Sequence, residues 1–157
     1  MTEPGPAISA SELEAYLHDR IPLTRAMAVE VRAAGADGVE LYAPLAPNIN
    51  HRDTVFGGSA SAVAILAAWS ALYVRMQAEG LHGRIVIRRN TMSYDRPIAA
   101  GFTASALPPA GEDWHRLVAT LERGRPARVQ LGARLHCDGQ DVGTLEGEFA
   151  VLPLAAP

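Results

Sequence analysis

The side chains best suited to chemistry crowd into one short segment, Pro47-Asn-Ile-Asn-His-Arg-Asp-Thr-Val-Phe-Gly-Gly-Ser59. The amides of Asn48 and Asn50 can donate to a carbonyl or carboxylate oxygen, but an amide is no base at neutral pH. His51 can accept a proton, with Asp53 as its orienter. Thr54, Ser59 and Ser61 add hydroxyls, and Phe56 adds an apolar wall. Gly57 and Gly58 lack Cβ atoms, so backbone there can approach a ligand closely. They open an apolar helix whose first N–H groups have no internal partner and carry the positive end of its dipole. An oxygen acquiring negative charge is stabilised at such a place. Each feature also has a plainer explanation. Gly57-Gly58 can simply permit tight packing, His51 can cap the loop with Asp53 solvated, Pro47-Asn48 is ordinary turn chemistry, and Ser61 can back-bond to its own helix.

The elements that must position this segment follow from periodicity. Ser11-x-x-Glu14 has the spacing of a capping box, and Leu13, Tyr16, Leu17 and Ile21 follow at helical intervals, which predicts a helix over 12–20 ended by Pro22. Met27, Val29, Val31 and Ala33 alternate with polar or small residues, as do Val39, Leu41 and Ala43, giving two strands joined as a hairpin through Gly35–Gly38. From Ser59 to about Glu79 the chain is apolar nearly all round, so this helix must be covered on most sides. Strands are expected over 84–96, 102–107, 128–137 and up to Val151, with a small amphipathic helix carrying Trp114, Leu117, Val118 and Leu121 between the second and third of them. One antiparallel sheet of about six strands wrapped around one central helix accounts for the order, an α+β domain spanning 11–154 after a disordered N-terminus over 1–10. Such a sheet has edges, and pairing two sheets edge to edge covers one of them, which is the physical reason to expect a homodimer or a dimer of dimers.

Composition narrows the function. The net charge of −3 over 157 residues gives no general affinity for nucleic acid. One cysteine, Cys137, excludes an internal disulfide and a cysteine-based metal cluster, and no His pair has zinc-ligand spacing, so no metal and no cofactor is expected. The N-terminus lacks the basic start and apolar run of a signal peptide, and the weakly polar run Ala60–Val74 falls short of the ~20 residues a membrane span needs. A cytoplasmic protein without a membrane partner is the expectation. His51-Arg-Asp53 matches the kinase catalytic triplet, but the asparagine five residues on and a glycine-rich phosphate loop are missing.

Five strings carry a more specific likeness: Ala43-Pro-Leu-Ala-Pro-Asn-Ile-Asn50, Thr54-Val-Phe-Gly-Gly-Ser59, Ile85-Val-Ile87, Tyr94-Asp-Arg-Pro97 and Arg123-Gly-Arg-Pro-Ala-Arg-Val129. From about Leu13 to Val151 the chain resembles a hotdog-fold subfamily, a thioesterase-like domain associated with malonyl-acyl carrier protein decarboxylase. The resemblance implies a hotdog fold, an acyl thioester substrate on coenzyme A or an acyl carrier protein, a role in fatty-acid biosynthesis, and Asn50 as a functional residue. It also marks a departure. Many hotdog thioesterases place an Asp or Glu about two turns into the central helix, whereas this helix reads Ser59-Ala-Ser-Ala-Val-Ala-Ile-Leu-Ala-Ala68. Its first acid, Glu79, stands roughly 30 Å from the glycines at 1.5 Å per residue.

The missing carboxylate suits decarboxylation, which needs no deprotonated water. In this expectation Asn50 orients a malonyl group while N–H groups near Gly58 and Ser59 stabilise the enolate. Asn48, Thr54, Phe56, Gly57 and Ser61 complete the substrate site, and Arg123 and Arg125 meet the phosphates or acidic face of the carrier. The alternative is a thioester hydrolase with His51 as general base. A non-catalytic acyl-binding scaffold, using an apolar channel beside Trp69 and Phe56, is the third reading.

Overall fold

The computed structural model describes residues 5–155. Of the N-terminal stretch 1–10, residues 1–4 lie outside the described residues, Ile8 packs on the core and Ala10 already begins α1 (Ala10–Arg20). The capping box forms at Ser9 rather than Ser11. Ser9 Oγ accepts from Glu12 N at 3.2 Å, and Glu12 Oε2 accepts from Ser9 N at 2.8 Å. These hydrogen bonds, the backbone one first, hold the Glu12 carboxyl below its ordinary range. Glu14 is thereby free for a tertiary role. Pro22 does end α1, and it also starts a second short helix, α2 (Pro22–Ala26), because proline suits a first helical position.

The hairpin follows as β1 (Glu30–Gly35) and β2 (Gly38–Ala43), then a 3-10 turn at Ala46–Asn48 and the central helix α3 (Gly57–Ala78). After it come β3 (Arg84–Tyr94), β4 (Phe102–Ala106), α4 (Gly111–Glu122), β5 (Ala127–Cys137) and β6 (Gln140–Leu152). All six strands form one antiparallel sheet in the order β1-β2-β4-β5-β6-β3. Its inner face presents Leu41, Phe102, Leu135, Leu145 and Phe149, each nearly inaccessible, to α3. This is the hotdog arrangement, a sheet wrapped around one helix.

One alternation is interrupted. Arg32 bulges out of the β1–β2 register between Val31↔Leu41 and Ala33↔Glu40, so Ala33 turns to solvent and Ala34 takes the place on the core that the period-two pattern assigned to Ala33. Arg32 lays its guanidinium 3.9 Å from the Tyr42 ring centre. At 22 residues α3 has the length and apolarity of a membrane span, but it packs against all six strands and is the core helix of this domain.

The fold gives α3 two distinct ends. Tyr94, the last residue of β3, donates its hydroxyl to Gly57 O (3.2 Å) at the N-terminal mouth, and Arg84 at the start of β3 lies beside the helix C-terminus. There Arg75 sits 4.2 Å over the Trp114 ring and pairs with Glu79, which also accepts from Trp114 Nε1. Glu79 is therefore a brace for α4.

Candidate active site

The loop ahead of α3 is built by its two asparagines. Asn48, 2% exposed, donates from Nδ2 to Met27 O (2.9 Å) and Pro44 O (2.8 Å), while its carbonyl accepts from Phe56 N (2.8 Å). It pins the loop to the turn before β1. Its Oδ1 is buried without a partner among the described residues. Asn50 Oδ1 accepts from Arg52 N (2.8 Å) and Thr54 N (3.2 Å), and Asn50 Nδ2 donates to Thr54 Oγ1 (3.0 Å) and Val55 O (3.4 Å). The whole amide is thus engaged inside the Asn50–Val55 turn, which the Ile49↔Val55 bridge closes. His51, Arg52 and Asp53 stand exposed at its tip, with no hydrogen bond between His51 and Asp53 among the described residues. Asp53 adopts φ 60°, a left-handed conformation that aspartate tolerates better than most side chains.

At the mouth of α3 the N-cap is Phe56, no side chain caps the helix, and the first turn holds no acid. Ala60 N reaches Phe56 O at 3.1 Å; the N–H groups of Gly57, Gly58 and Ser59 have no hydrogen-bond partner among the described residues. These donors are oriented by the helix itself and keep the positive end of its dipole unneutralised. The glycines do more than expose backbone. A Cβ on Gly58 would lie 2.3 Å from Cε1 of Phe56, and one on Gly57 would lie 3.5 Å from the Tyr94 ring. Two exposed aromatic rings, Phe56 and Tyr94, therefore sit against the two glycines. Close packing and open N–H groups coexist here, and the first depends on the missing Cβ of Gly58.

A cavity of about 380 Å³ lies beside this mouth. Thr54, Val55, Gly57 and Ala60 form one wall, and the stretch from Tyr94 to Ile98 forms the other. Of the residues singled out from sequence, Thr54 and Gly57 line it; Phe56, Gly58, Ser59 and Ser61 belong to the N-cap and first turns of α3 but do not line it. His51 and Asn50 do not line it. Neither do Arg123 and Arg125, which are exposed and lead into β5. The pairings Ala127↔Val151 and Ile85↔Val151 place the start of β5 at the C-terminal end of α3, whereas Tyr94↔Gly143 marks the mouth. Sequence reasoning missed the second wall. Its signal was Tyr94-Asp95-Arg96 ahead of Pro97, three polar side chains held in a turn.

Two other features are remote from this chemistry. A larger cleft, about 680 Å³, opens where β4 leaves β5 after Ser105, between Leu107–Pro109 and Gln130–Arg134, and no residue of the loop lines it. Trp69, stacked with Tyr73 (4.9 Å) and through it with Tyr16 (4.9 Å), stands three to four turns along α3 from Phe56. Burial first, and then Tyr16, raise the Tyr73 hydroxyl above its ordinary range.

Comparison with known proteins agrees with this fold. Residues 10–153 match the family described as "Putative thioesterase (yiiD_Cterm)". A crystal structure of the "putative thioesterase" from Shewanella oneidensis superposes with TM-score 0.82 at 27% identity, covering 92% of this chain and 97% of that one. A protein "with unknown function" from Chlorobaculum tepidum gives TM-score 0.87 at 26% identity over 94% and 99%. A thioesterase from Haemophilus influenzae shares the fold at 16% identity, with TM-score 0.69 and coverage of 99% and 98%.

Proposed function

We propose that this chain, which belongs to the "Putative thioesterase (yiiD_Cterm)" family, hydrolyses acyl thioesters carried on coenzyme A or an acyl carrier protein. The observation that carries this reading is the mouth of α3, with three N–H groups unpaired among the described residues beside a cavity of acyl-group size. A thioester carbonyl seated there places its oxygen at donors already aimed, so charge developing on that oxygen costs no reorganisation; removing one such donor typically costs about 10²–10³ in rate.

Decarboxylation of a malonyl thioester is the second reading, favoured by the absence of a carboxylate from the early turns of α3. It asks Asn50 to hold the malonyl carboxylate, whereas the Asn50 amide is occupied by Arg52, Thr54 and Val55. Hydrolysis asks nothing of that amide, so Asn50 is a loop-shaping residue in this proposal.

The proposal includes a second copy docked along β3. With the β3 strands of the two copies running antiparallel about a two-fold axis, the far end of one copy, with Arg84, Arg123 and Arg125, would come beside the mouth of the other. A cationic rim for a phosphate-bearing carrier then arises between copies, which explains why those arginines are remote from the mouth within one chain.

The deciding experiment incubates the protein with acetyl-, hexanoyl-, lauroyl- and malonyl-CoA, following free thiol by a colour reagent and thioesters by mass spectrometry. Release of free thiol is the expected result. Acetyl-CoA formed from malonyl-CoA without free thiol overturns it in favour of decarboxylation.

A further inference from the structure

Hydrolysis requires a group that takes a proton from water, and the helix provides none near the mouth. Glu79 is at the other end and engaged with Arg75 and Trp114. The cavity wall does provide one. Among the residues lining it, Asp95 is the sole carboxylate.

Three observations place the backbone of this exposed residue at the mouth and leave its carboxylate free. The turn that carries it is tied to β6, since Asp95 N and Arg96 N both donate to Val142 O (3.0 and 3.2 Å). The residues on either side are tied to the mouth, because Tyr94 donates to Gly57 O and Val55 N donates to Ile98 O (2.8 Å). Last, the carboxylate is uncommitted. Arg96, next in sequence, sends its guanidinium to Gln140 Oε1 at 3.1 Å, and Asp95 has no ion pair or side-chain hydrogen bond among the described residues.

We propose that Asp95 is the general base of the site, facing across the cavity the N–H groups that hold the carbonyl oxygen. This inference rests on the hydrolase reading and adds a catalytic residue to it. The Asp95 carboxylate takes one proton from a water whose oxygen bonds to the thioester carbonyl carbon, and the carbonyl π pair moves onto the oxygen at the Gly57–Ser59 N–H groups. When the carbonyl re-forms, the C–S bond breaks with its electron pair on sulfur. The thiolate takes the proton back from Asp95. One water is consumed, and a carboxylic acid and a thiol are released.

The test compares wild type, Asp95→Asn and Asp95→Ala on hexanoyl-CoA, with thermal melting of each variant alongside. A general base contributes typically 10²–10⁴-fold, so Asp95→Asn should lose about 100-fold or more in kcat with KM little changed. Added formate, a small external carboxylate, should restore part of the rate to Asp95→Ala. An Asp95→Asn enzyme that keeps its kcat overturns the assignment, and so does a slow Asp95→Ala enzyme that formate fails to revive. Should wild type itself release no thiol from any acyl-CoA, the hydrolase reading falls and this assignment falls with it.

Discussion

The two edges of the sheet are finished differently. Along β1 the backbone is answered by side chains of α1: Glu14 Oε2 accepts from Val31 N, and His18 Nε2 donates to Val29 O, both at 2.8 Å. One turn of helix thus supplies the acceptor and the donor that a neighbouring strand would have supplied. Along β3 nothing comparable exists among the described residues. That strand runs for 11 residues, pairs with β6 on one side, and is exposed over most of its second half. Both edges carry one bulged arginine, Arg32 in β1 and Arg88 in β3, where the register steps from Ile87↔Phe149 to Arg89↔Glu148. An unpaired edge is a template for another strand. The comparison teaches that this sheet has blocked one template with its own helix and left the other unpaired among the described residues, the edge on which the proposed second copy would dock.

The largest effect should come from proline at the two bulges, where no partner residue is taken from the ladder. Arg88→Pro sets a proline into the open edge strand β3 and should halve the mass in solution measured by sedimentation if the proposed second copy docks there. Arg32→Pro, on the edge already blocked, should leave the mass unchanged. Equal outcomes for the two variants would erase the difference between the edges.

A smaller effect tests the block itself. Glu14→Ala leaves the Val31 N–H without its acceptor, a hydrogen bond to a charged group worth about 1–3 kcal/mol, and the loss should appear as a lower Tm. The same variant should associate at high concentration through β1, which wild type does not do if α1 is the guard.

The smallest effect concerns what holds α1 in place. The folded-state pKa of Glu12 is depressed by Ser9, so its contribution to stability is present above the unfolded glutamate range and is lost as pH falls through the folded value. Glu12→Gln should therefore melt slightly below wild type at neutral pH, and the two should converge in acid. A gap that widens on acidification would contradict the assignment of the cap.

Legibility in the sequence followed the range of the interaction. The central helix, the alternation of β5 and β6 and the amphipathic α4 were readable, because each records one burial face in its own spacing. The capping box was ambiguous. Ser9-x-x-Glu12 and Ser11-x-x-Glu14 have the same form, and the choice falls to Ser9 where Glu14 is needed 17 residues away at Val31. The loop was found from its residue types, but the occupation of the Asn50 amide was not, since an asparagine that shapes a turn and one that holds a substrate look alike in sequence. Asp95 was overlooked for a related reason: it is separated by many residues from Gly57, and only the return of β3 along α3 brings the two to one cavity.

By itself, then, the sequence determined that a long apolar helix must be wrapped by an antiparallel sheet, and that two glycines stand at the mouth of that helix with no acid in its early turns. These are local consequences of hydrophobic spacing and of missing Cβ atoms. The tertiary structure decided which rings rest on those glycines, which carboxylate reaches the cavity and which sheet edge stays open. Each of these depends on a contact between segments far apart in the chain, where direction and register are set by packing rather than by any residue's own preference.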